Sequence, residues 1–76
     1  MKEKILKDLK VICLSKLSDA KRENNEKKIE IYSIINDVLS TENSFLKLDM
    51  EVGVNMIYDL VDDLKKAKQI YLELLK

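Results

Sequence analysis

The sequence predicts an all-α fold, a small antiparallel bundle of three helices or a long helical hairpin, in one domain spanning residues 1–76. Three observations carry this reading. The chain has one Gly and no Pro, so little in it interrupts a helix. Apolar residues recur at alternating spacings of three and four, the period of a helix with one buried face. The composition, 46% apolar and 37% charged, is that of a folded helical chain rather than a disordered one.

The first element is expected over Lys2–Glu23. Ile5, Leu6, Leu9, Ile12, Cys13, Leu17 and Ala20 share one face. Glu3–Lys7 and Lys4–Asp8 pair on the outside, at about 0.2–0.5 kcal/mol each. Lys16 falls inside the apolar stripe, whereas Val11 and Leu14 lie well outside it. A polar run, Lys21 to Lys28, follows. Within it Asn24-Asn25 is the best turn candidate, because Asn tolerates left-handed backbone angles and caps helix starts. The run contains no Gly or Pro, and the apolar faces on its two sides differ by only about 50° on a continuous helix. One helix from Lys2 to Ser40 is therefore the rival.

The second element is expected over Glu26–Leu39, with Ile31, Tyr32, Ile34, Ile35, Val38 and Leu39 on a wide apolar face and Ile29 to one side. Ser40-Thr41-Glu42-Asn43-Ser44 reads as a loop. Phe45, Leu46 and Leu48 come directly after it, so this connection should fold back onto the core.

The last element is expected over Asp49–Leu75 as a single helix of about seven turns. Met50, Gly53, Ile57, Leu60, Leu64, Ala67, Tyr71 and Leu74 form its stripe, with Leu64 at the centre and Asp49 as N-cap. Lys68 also sits where the chain otherwise faces a core. Such a helix would extend about 40 Å against about 21 Å for the second element. Part of its apolar face would lack an intrachain partner, and the same holds for a hairpin. Both versions therefore predict an oligomer, with a homodimer the favoured form and a higher oligomer open; the hairpin would dimerise into a four-helix bundle.

Function is bounded chiefly by what the chain lacks. It has no His and one Cys, which excludes Ser–His and Cys–His catalysis, an internal disulfide and the common zinc sites. The single Gly53 cannot build a phosphate-cradling loop. Fourteen basic and fourteen acidic residues cancel, so no basic excess points to nucleic acid. The longest apolar run, Val11-Ile12-Cys13-Leu14, is far too short to span a bilayer. No signal peptide is evident at the N-terminus, and the expectation is a cytoplasmic, non-enzymatic protein with no cofactor, no metal, no nucleic acid and no membrane partner. Thirteen lysines against one arginine, with frequent Ile and Asn, hint at an AT-rich genome, as in many low-GC bacteria, phages, mobile elements or large DNA viruses.

Several residues invite a sharper reading. Asp59, Asp62 and Asp63 could form a cation site on one helix face, but a solvated acidic face is the simpler account, since calcium prefers a wrapping loop. Cys13 beside Ile12 reads as a small buried hydrophobe. Tyr32, Tyr58 and Tyr71 read as packing residues. Lys16 and Lys68 should snorkel, or pair with an acid across an interface, more readily than act as catalytic bases. Gly53 marks either a close approach of another helix, from this chain or a second copy, or a frayed first turn. Val11 and Leu14 are neighbours that are either ordinary surface or anchors for a partner, rimmed by Lys7, Lys10 and Ser18. The interaction candidates are thus Val11, Leu14, Lys16, Gly53 and Lys68. The expected role is a protein-interaction module, such as a phage or mobile-element inhibitor, an immunity protein or an antitoxin. The alternative is a structural or regulatory subunit.

Overall fold

The polar run ends the first helix. In the computed structural model, which describes residues 2–76, α1 spans Lys2–Arg22 and α2 spans Glu26–Ser40. Asn24 takes a left-handed conformation, φ 56°. The Asn25 N–H donates to the Ala20 carbonyl at 3.1 Å and the Asn24 N–H to Lys21 at 3.2 Å. This is the Schellman pattern of helix ends. Asn25 then caps α2, its side-chain oxygen accepting from the Lys28 N–H at 3.2 Å. The paired asparagines serve in turn as stop and start, and the continuous Lys2–Ser40 helix does not form.

Beyond Ser40 the expected loop contains a short helix, α3, Glu42–Leu46. It delivers Phe45 into the core with no exposed surface, and Leu46 and Leu48 pack partly buried around it. The return of this connection to the core is as expected; its helical turn is not, because five residues are too few to show a period.

The single Asp49–Leu75 helix is corrected to two. α4 spans Met50–Val61 and α5 spans Leu64–Leu75. Asp62 is left-handed at φ 56°, and its N–H donates to Tyr58 at 2.8 Å. Asp63 caps α5 by accepting from the Lys66 N–H at 3.2 Å. Asp49 caps α4 as expected, accepting from Glu51 at 2.9 Å. The two halves fold back on each other, so Gly53 and Tyr71, equally far in sequence from Asp62, meet. This reversal removes the length mismatch on which the expected dimer rested. It also displaces Leu64, the expected stripe centre, to the surface at 46% exposure.

α1 is the common partner, packing against α2, α4 and α5, while α4 packs on α5. Leu6, Leu9 and Cys13 of α1 meet Ile35 and Leu39 of α2, Ile57 and Leu60 of α4, and Ala67 and Leu74 of α5 in one buried cluster. No strand occurs among the described residues.

Candidate protein-interaction surface

Two of the five candidate interaction residues act within the chain. Gly53 is buried because the Tyr71 ring lies on it. A Cβ there would fall 2.8 Å from Tyr71 Cζ and 2.9 Å from Cδ2. The close approach anticipated at Gly53 is therefore α5 of the same molecule, not a second copy. The Tyr71 hydroxyl donates to the Leu48 carbonyl at 2.6 Å, and its ring meets Phe45 edge-on at 5.9 Å and 74°. Burial, and then the Asp49 carboxylate, push the Tyr71 hydroxyl above the usual phenol range.

Lys16 is the second. Its stem crosses from α1 to α4, and Nζ donates to the Asp59 carbonyl at 3.2 Å and lies 3.4 Å from Asp62 Oδ2. The ammonium thus caps the last turn of α4, where carbonyls lack helical partners and the helix dipole favours a cation. The expected snorkelling and pairing both occur, inside one chain rather than across an interface. Asp59 is held above the usual carboxyl range because desolvation, together with Asp62, outweighs the pull of Lys16.

Lys68 is corrected from a core-facing position to an exposed one. Val11 and Leu14 are exposed, at 61% and 50%, on α1. The aspartate trio does not share a helix: Asp59 stays on α4, whereas Asp62 and Asp63 form the turn. Among the described residues no three His, Cys, Asp or Glu side chains gather as a metal site. Cys13 is buried, and its thiol donates to the Tyr32 carbonyl at 3.2 Å. Burial raises its pKa above that of a free thiol, the opposite of what a nucleophile needs.

The surface that remains unexplained lies on either side of α4; of the sequence candidates only Lys68 lies on it, and its apolar residues were not singled out. One groove, of about 620 Å³, is lined by Met50, Glu51 and Val54 of α4 and by Leu64 and Lys68 of α5. The other, of about 270 Å³, runs between Ile31 and Ile34 of α2 and Val52, Met56 and Asp59 of α4. Asn55 borders both, so the two grooves lie side by side on one surface. Val11 and Leu14 line neither. Ile31 and Ile34, expected in the core face of α2, are 37% and 50% exposed. The signal was present in the unusual width of that stripe, which exceeds what one core contact can cover.

Compared with known proteins, the chain finds no significant match among protein families, curated proteins or solved structures. No helix among the described residues is long and apolar enough to cross a membrane.

Proposed function

We propose that this protein is a non-enzymatic protein-interaction module that docks through the face on either side of α4. One observation carries the reading: Ile31, Ile34, Met50, Val52 and Leu64 are exposed and line two adjoining grooves, and Leu72, also exposed, follows Leu64 along α5 at helical spacing. Single exposed apolar residues are ordinary, but a contiguous apolar patch of this kind marks interaction sites. The polar groups that could suggest chemistry have structural duties instead: Lys16 caps a helix, Cys13 is buried and hydrogen-bonded, and Tyr71 is a packing staple. A small inhibitor, immunity protein or antitoxin is the form of this role that suits a short helical chain with lysine-rich composition.

The test compares two faces. Ile34→Asp with Leu72→Asp charges the α4 side, and Val11→Asp with Leu14→Asp charges the α1 patch. All four side chains are about half exposed or more, so both variants should keep the wild-type circular dichroism spectrum. Affinity capture from the native host, read by mass spectrometry, should lose its specific proteins with the first variant and keep them with the second. Capture indifferent to the first variant would refute the assignment of the face.

A further inference from the structure

The walls of the two grooves carry opposite charge, and we infer that the face is covered by a second copy of this chain, with α5 of each molecule lying in the α2–α4 groove of the other. The inference rests on the interaction face proposed above and names its occupant. The α2–α4 wall is apolar and acidic. Ile31, Ile34 and Met56 line it together with Asp59. Glu30 and Asp37 lie one turn to either side of Ile34 on α2, against two lysines near the helix start, Lys27 and Lys28, of which Lys28 pairs with Glu23. The α5 wall is apolar and basic. Leu64 and Lys68 line it, and helical spacing continues the stripe through Leu72 and Leu75, with Lys65 beside Lys68. The α4 side of that groove carries two carboxylates, Glu51 and Asp49, the latter also accepting from the Glu51 N–H, so the basic character belongs to the α5 wall alone.

Among the described residues Glu30, Asp37, Asp59, Lys65 and Lys68 form no salt bridge within the chain. An acidic apolar groove needs a basic apolar helix, and α5 of this protein presents one. The grooves share Asn55, so they are adjacent, the arrangement a two-fold dimer requires if α5 of each copy is to meet α2 and α4 of the other. On opposite sides of the molecule the same pairing would give an open chain of subunits rather than a closed dimer.

The experiment is sedimentation equilibrium on the purified protein at tens to hundreds of micromolar. Wild type should approach twice 8.9 kDa. Two charge-reversed variants follow: Lys65→Glu with Lys68→Glu, and Glu30→Lys with Asp37→Lys. Each alone should dissociate at least ~tenfold more readily, because like charges then face each other. An equimolar mixture of the two should restore the dimer, since each supplies the charge the other has lost. Should a reversal cost helical structure, Lys68→Gln and Asp37→Asn replace it, and the expected readout is a weaker dependence of dimerisation on salt. A monomeric wild type, variants that dimerise as well as wild type, or a mixture that stays monomeric each overturns the inference. A monomer whose host capture still depends on Ile34 and Leu72 removes the second copy and leaves the interaction face standing. Capture indifferent to those two residues removes the face itself.

Discussion

Gly53→Ala sets two effects of opposite sign against each other, and the structure decides which prevails. Inside an exposed helix the exchange would stabilise by about 1 kcal/mol, through lower backbone entropy in the unfolded chain. Here the new methyl would meet three atoms of the Tyr71 ring, two of them at 2.8 and 2.9 Å and the third nearer. The ring has no easy retreat. Phe45 holds it edge-on at 5.9 Å, and its hydroxyl is tied to the Leu48 carbonyl at 2.6 Å. Moving it strains a packed core by about 1–3 kcal/mol and weakens a hydrogen bond worth about 1 kcal/mol. The net expectation is a loss of about 1–3 kcal/mol. A chain of this size has about 3–5 kcal/mol in total, so the loss is large, and Tm should fall by about 4–8 °C per kcal/mol. Urea denaturation followed by far-UV circular dichroism measures it. Tyr71→Leu removes the nearest ring atoms, so adding Gly53→Ala to that background should cost much less than it does in wild type. A Gly53→Ala protein as stable as wild type would show that Tyr71 is not lodged against Gly53, and would refute the α4–α5 packing described above.

Two further outcomes follow from burial and proton linkage. Leu64→Ala should cost under about 1 kcal/mol, since the residue is 46% exposed, whereas fully buried Ile57→Ala should cost about 2–5 kcal/mol; urea titrations of the two variants check the difference, which a single unbroken helix burying both residues in one stripe would abolish. Tyr71 and Cys13 both have pKa values raised by burial, so the fold holds their protons more tightly than the unfolded chain does. Stability should therefore fall as pH rises through the unfolded values, about 8.5 for the thiol and about 10 for the phenol. Denaturation midpoints across that range check this, and Tyr71→Phe should flatten the upper part of the decline.

The asparagine pair and the aspartate pair perform one task, but only the first was legible as a turn. Asn24-Asn25 stands in a long polar run, where no apolar periodicity competes with a break. Asp62-Asp63 is flanked by Leu60 and Leu64, four apart and in helical phase, so the stripe reads straight through the reversal. The left-handed tolerance of Asp62 and the capping capacity of Asp63 were the available clues. Residues on the central helix are legible in the sequence, as Leu6, Leu9, Cys13 and Ala20 show, because α1 is covered by α2, α4 and α5 and its stripe has no open face to confuse with the core. Width was harder to interpret. An apolar stripe records how much surface avoids water in the functional state, and it does not separate a core from a docking face. That is why Ile31 and Ile34 read as core residues in the sequence, whereas Leu64 does so because its phase continues through the unseen turn. Gly53 and Lys16 were singled out correctly as unusual, while their partners, Tyr71 and the last turn of α4, required the fold.

Covering of the exposed face by a second copy would tie assembly to stability. α1 gathers the core by contacting α2, α4 and α5, so the molecule can fold around it while the α4 side stays open to solvent. A second copy covering that side would bind the folded state and not the unfolded one. Mass action then adds stability that grows with concentration, about 2.7 kcal/mol where the free partner is a hundredfold above its dissociation constant. Against a total of about 3–5 kcal/mol for an isolated small domain, that increment is a large share. Thermal melts over a hundredfold range of protein concentration should accordingly show Tm rising with concentration. The rise should vanish in the Lys65→Glu, Lys68→Glu variant, whose core residues are untouched. A Tm independent of concentration in wild type would mean that the α4 face contributes nothing to the stability of this protein in isolation, and that its apolar residues await a different chain.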